Sequence, residues 1–123
     1  MKQKKILFID DEAVVVGLMK TRIESRGFLA ETAMDGLTGI EKAKTWHPDL
    51  ILLDIVMSGM DGYETCRHLK GEKETAHIPV VFFTAVQNER LDALAKKAGA
   101  AKVIQKPFID QVFKTIAEIL KLE

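Results

Sequence analysis

The chain has 123 residues, 47% of them hydrophobic, and a formal net charge of zero. That length supports one domain with a substantial core and is too short for two ordinary ones. The charge balance argues against an extended nucleic-acid or membrane surface, and a single cysteine, Cys66, excludes an internal disulfide and a cysteine-based zinc site.

The basic start, Met1-Lys-Gln-Lys-Lys, is followed by an apolar run of only Ile6–Ile9, too short for a signal-peptide core. No run approaches the ~20 residues of a membrane span, and a cytoplasmic location is expected. Ile6–Ile9 reads instead as a strand covered on both faces. Val15, Leu18, Met19 and Ile23 then recur at helical spacing, and Gly27 fits a helix stop. Phe28–Ala33 alternates weakly, as an edge strand does. Asp35 is placed to cap a helix whose inner face carries Ile40 and Ala43, although Gly36 and Gly39 weaken it. Leu50–Leu53 is a second fully apolar strand, and Asp61 precedes a helix with Tyr63, Cys66 and Leu69 on one side. Val80–Phe83 is a third apolar strand. Leu91, Leu94, Ala95 and Ala98 form a stripe closed by Gly99. Ala101–Gln105 predicts a last strand, and Val112, Ile116 and Ile119 a last helix. Five β-α units in alternation imply an α/β fold with a five-stranded parallel sheet and five helices on its two faces. The chain stops soon after the last helix, so residues 1–123 are read as a single domain with no effector domain.

Four of the strand-like runs end in polar residues that packing does not explain: Asp10-Asp11, Asp54, Thr84 and Lys106-Pro107. In a doubly wound sheet of order 2-1-3-4-5, ligands bind beyond the carboxyl ends of the strands, where the order reverses between the first and third. That crevice would gather Asp10, Asp11 and Asp54. Three neighbouring carboxylates repel one another, and a hard divalent cation such as Mg²⁺ resolves the conflict with few protein ligands. Asp54 is then the expected nucleophile, forming an acyl phosphate. Asp11 would bind Mg²⁺ directly, and Asp10 directly or through water. The backbone carbonyl of Val56 is a third candidate ligand. Lys106 would supply a positive charge to the phosphoryl oxygens and Thr84 a hydrogen bond. A cis bond before Pro107 would make the sharp turn that aims Lys106 inward. Taken singly, Asp10-Asp11 is a helix cap, Asp54 a turn residue and Lys106-Pro107 a strand exit; their joint placement at four strand ends favours the site.

FIDDE, LLDIVMSGMDGYE, FFTA and QKPF, in order and over essentially the whole chain, resemble the signatures of the response-regulator receiver domain of two-component signalling. The resemblance implies a flavodoxin-like fold and Mg²⁺-dependent transfer of a phosphoryl group from the phosphohistidine of a sensor histidine kinase, or of a histidine phosphotransfer protein, to Asp54. It implies that Thr84 then moves toward the phosphoryl group. The face made by the fourth helix, fifth strand and fifth helix would change as a result. A downstream protein or effector would read that face, which is also the family's usual dimer surface. The chain would thus be a regulator that catalyses only its own phosphorylation and slow dephosphorylation, without direct contact to nucleic acid or membrane.

Some positions depart from the family pattern. Val103 stands where an aromatic switch residue is usual, and Ser58 where a proline is common, which predicts a looser loop. Val56 and Val86 occupy rate-tuning positions with side chains that cannot orient an attacking water, so a long-lived phosphoryl group is expected. Two competing functions are weighed. A phosphatase of the haloacid dehalogenase kind lacks its second motif aspartate here, because Glu12 follows Asp10-Asp11. A degenerate, scaffold-only receiver would have lost an acid, the threonine or the lysine, and all are present. Cys66, Trp46 and the three histidines are read as packing or surface residues.

Overall fold

The computed structural model describes residues 2–122; Met1, where the basic start begins, and Glu123 lie outside the described residues. Strands and helices alternate as β1 (Lys5–Ile9), α1 (Ala13–Ser25), β2 (Leu29–Ala33), α2 (Gly36–Trp46), β3 (Leu50–Leu53), α3 (Gly62–Gly71), β4 (Val80–Thr84), α4 (Leu91–Ala98), β5 (Lys102–Gln105) and α5 (Ile109–Ile119). All strand pairs are parallel, in the order β2-β1-β3-β4-β5. This is the doubly wound, flavodoxin-like sheet that the alternation implies.

The uninterrupted apolar strands make sense because both sheet faces are covered. Successive side chains of a strand point to opposite faces. Leu7, Ile9, Ile51, Leu53, Val80 and Phe82 pack with α2, α3 and α4. Ile6, Phe8, Leu50, Leu52, Val81, Phe83 and Ile104 pack with α1 and α5. Each such side chain, fully buried, contributes about 1.5–3 kcal/mol, which is why the runs Ile6–Ile9, Leu50–Leu53 and Val80–Phe83 hold only apolar residues.

The helix boundaries follow local chemistry. Asp35 accepts a hydrogen bond from the Thr38 N–H at 2.7 Å and Asp61 one from the Glu64 N–H at 2.9 Å, each satisfying an otherwise free donor of a first turn. Gly99 closes α4 at φ 97°, a left-handed conformation suited to glycine. The inner face of α1 differs from the expected one. Val16, Met19 and Ile23 are buried, whereas Leu18 is 61% exposed and Val15 is half-buried. The run Val14-Val15-Val16 permits more than one apolar stripe, and packing against β1 and β2 selects the one through Val16. Among the described residues no helix is long and apolar enough to cross a membrane.

Candidate functional site

The ladder of the sheet runs one residue past each strand, and this brings the polar endings together. The Asp54 N–H donates to the Ile9 carbonyl (3.0 Å), the Asp10 N–H to Ala33 (3.1 Å) and the Lys106 N–H to Thr84 (2.8 Å). Asp10, Asp54 and Lys106 therefore continue the side-chain alternation of Phe8, Leu52 and Ile104, on the α1/α5 side. Thr84 continues that of Val80 and Phe82, on the other side. The crevice lies at the reversal of strand order between β1 and β3.

Asp10 is fully buried and Asp54 is 5% exposed. Lys106 Nζ lies 2.8 Å from Asp10 Oδ2 and 3.2 Å from Asp54 Oδ2, so one ammonium bridges both carboxylates. Backbone N–H groups hold the remaining oxygens: Glu12 donates to Asp10 Oδ1 at 3.0 Å and Ile55 to Asp54 Oδ1 at 2.8 Å. The Lys106–Pro107 bond is cis. Burial raises the Asp10 carboxyl above its usual range, against the pull of Lys106 and the Glu12 N–H. Burial alone would lower Lys106; its hydrogen bond to Asp10 and the charges of Asp54 and Asp10 outweigh that and raise it.

Thr84 is fully buried at the end of β4, and its Oγ1 accepts from the Val86 N–H at 3.2 Å. Asp11 lies at the rim. Its Oδ2 accepts from the Ser58 N–H at 2.9 Å and from Ser58 Oγ at 3.3 Å. Ser58 thus ties the β3–α3 loop to the β1–α1 loop, where its replacement of a proline suggested looseness. Asp11, Glu12, Asp54, Val56, Ser58, Thr84, Val86 and Lys106 are among the residues lining one cleft of about 610 Å³.

The sequence reading passed over Glu12. Carboxylate oxygens of Asp10, Glu12 and Asp54 lie within 4.8 Å of one another, and Asp11 stands outside that trio. Glu12 also reaches Lys106 at 3.8 Å. The signal was present as a third consecutive acid after β1. Three convergent carboxylates facing one lysine form an oxygen-rich donor set that fits a hard divalent cation.

Comparison with known proteins shows the family and the fold. The family model described as "Response regulator receiver domain" matches residues 6–118. The response regulator PleD of Caulobacter vibrioides is 40% identical over 108 residues, 86% of this chain and 23% of that protein. The alkaline phosphatase synthesis transcriptional regulatory protein PhoP of Bacillus subtilis is 38% identical over 85% of this chain and 43% of that protein, so the chain spans less than half the length of these curated relatives. Among solved structures, the N-terminal domain of a response regulator receiver protein from Methanoculleus marisnigri JR1 superposes with TM-score 0.79 at 32% identity, covering 99% of this chain and all of that one.

Proposed function

Because the chain belongs to the response regulator receiver domain family, we propose that it is a phosphorylation-dependent signalling switch whose phosphoryl acceptor is Asp54. The observation that carries this reading is the double contact of Lys106 with Asp10 and Asp54 beside a cleft that Thr84 also lines.

Asp54 Oδ2 attacks phosphorus of a phosphohistidine presented by a sensor kinase or a phosphotransfer protein. A P–O bond forms to the carboxylate, and the P–N bond breaks with its electron pair leaving on the imidazole, which takes up a proton. Asp54 is held for this by the Ile55 N–H on its other oxygen. Lys106 balances charge on the transferred oxygens, a role in which its short tether to Asp10 fixes the ammonium in place. Thr84 has a hydroxyl proton to give to one of those oxygens. Asp10, Asp54 and Glu12, with Asp11 and the Val56 carbonyl at the rim, are the groups that would hold Mg²⁺. When bound, that ion supplies positive charge to the phosphoryl oxygens and relieves the repulsion among the carboxylates. Val56 and Val86 present apolar side chains to the cleft, which supports slow hydrolysis of the aspartyl phosphate. The α4–β5–α5 face is then the surface offered to a downstream partner or a second copy, and the zero net charge supports no direct contact with nucleic acid.

The test is incubation with Mg²⁺ and acetyl phosphate, followed by mapping of the modified residue by mass spectrometry. A single phosphoryl group on Asp54, absent in Asp54→Asn, is expected, with a shorter lifetime in Val86→Glu. Labelling elsewhere, no labelling by any donor, or sustained turnover of a phosphate ester would reject the switch.

A further inference from the structure

Gln105 closes β5, directly before Lys106, and its backbone pairs across to Thr84. Its side chain makes a contact that phosphoryl transfer does not itself require. Gln105 Nε2 donates to the Val86 carbonyl at 2.9 Å, fastening the segment that leaves β4 to the end of β5. The N–H of that same Val86 donates to Thr84 Oγ1 at 3.2 Å. The other amide atom of the side chain, Gln105 Oε1, is buried and has no hydrogen-bond partner among the described residues. An unpaired buried acceptor is unfavourable, and native structures keep few of them.

Thr84 Oγ1 accepts from the Val86 N–H and makes no hydrogen bond to Asp54 among the described residues. On the phosphoacceptor reading Thr84 moves toward an oxygen on a phosphorylated Asp54, and a turn about χ1 is the motion its side chain has for this. That rotation withdraws Oγ1 from the Val86 N–H and strands a donor. The stranded donor belongs to the residue whose carbonyl Gln105 already holds, and beside it sits an acceptor that lacks a donor. A primary amide carries both a donor and an acceptor, so one side chain can pair with the C=O and the N–H of the same residue.

We propose that Gln105 is a positioning residue for Thr84. When Thr84 turns to the phosphoryl group, the Val86 N–H passes from Thr84 Oγ1 to Gln105 Oε1. The buried acceptor Gln105 Oε1 gains a donor, and the part-buried Val86 N–H keeps an acceptor. The same exchange pulls the β4–α4 segment against β5, which gives the α4–β5–α5 face a link to Asp54 in a chain where Val103 has no ring to follow Thr84. The inference rests on the phosphoacceptor reading of Asp54.

The test is amide hydrogen exchange followed by NMR on the full chain, alone and with Mg²⁺ and beryllofluoride. In the wild-type chain the Val86 amide should be protected in both states. In Gln105→Met, of similar length and with no amide, protection should persist in the free chain, where Thr84 still accepts. With beryllofluoride its Val86 exchange should be about tenfold faster or more than in the wild type. Gln105→Glu keeps an acceptor oxygen and should restore protection in the bound state. Loss of Val86 protection in the wild-type chain on beryllofluoride binding would overturn the hand-over without recourse to any variant. So would equal bound-state exchange in wild type and Gln105→Met. An Asp54 amide that does not respond to beryllofluoride would instead overturn the phosphoacceptor reading, and the hand-over with it.

Discussion

Removing the ammonium of Lys106 would leave Asp10 and Asp54 facing one another where water barely reaches. Breaking one partner out of such a buried set is unfavourable because the charges left behind lose their compensation. Lys106→Met is therefore expected to lower stability by about 3 kcal/mol at neutral pH without divalent cations, read from urea unfolding in EDTA. Added Mg²⁺ should return part of that loss, since a cation held by the same carboxylates replaces the missing charge. A variant as stable as the parent in EDTA would show that the ion pair of Lys106 does not hold the site together. Cys66 is the counter-example at this scale. It is fully buried, and burial pushes its thiol up to about 11, so it stays neutral and packs as a small apolar group.

At the scale of the elements, caps and glycines decide where the helices start and how closely they approach the sheet. Asp35 is held below its usual carboxylate range, first by the Thr38 N–H and then by the Thr38 hydroxyl. A carboxyl with a depressed folded-state pKa stabilises the fold fully above its unfolded value of 3.8 and loses that contribution as pH falls through the lower folded value. Asp35→Ala should cost about 1 kcal/mol at pH 7, and the gap between parent and variant should narrow only below pH 3.8. A gap of constant size into that acid range would refute the cap's charge as the source. Gly17 and Gly62 should respond oppositely to alanine. A Cβ at Gly17, exposed in α1, meets nothing within 4 Å, so Gly17→Ala should stabilise by about 0.5–1 kcal/mol. A Cβ at Gly62 would lie 2.3 Å from the Asp54 carbonyl oxygen and 2.6 Å from Ile55 Cα, backbone atoms that cannot give way. Gly62→Ala should both destabilise the chain and displace Asp54, seen as a lower urea midpoint together with slower labelling by acetyl phosphate.

For the molecule as a whole, the strands of uniform apolarity were legible because each is covered on both faces, and their polar endings were legible because nothing in packing asks for them. Asp10, Asp54, Thr84 and Lys106 lie in four separate stretches of the chain, yet parallel pairing with register Ile9↔Leu53 and Thr84↔Gln105 makes their meeting a consequence of strand order. Composition and alternation thus determined the α/β class, the order of elements and the acids, hydroxyl and amine that a phosphoryl site would use. Tertiary structure decided what local pattern leaves degenerate. It chose Val16 over Leu18 on α1, brought Glu12 into the carboxylate trio while Ser58 drew Asp11 to the rim, and left Gln105 Oε1 beside Val86 without a donor. The physical reason is one of range: burial and alternation are set by neighbours along the chain, whereas a hydrogen bond between side chains dozens of residues apart depends on positions that only the packed sheet and its loops fix.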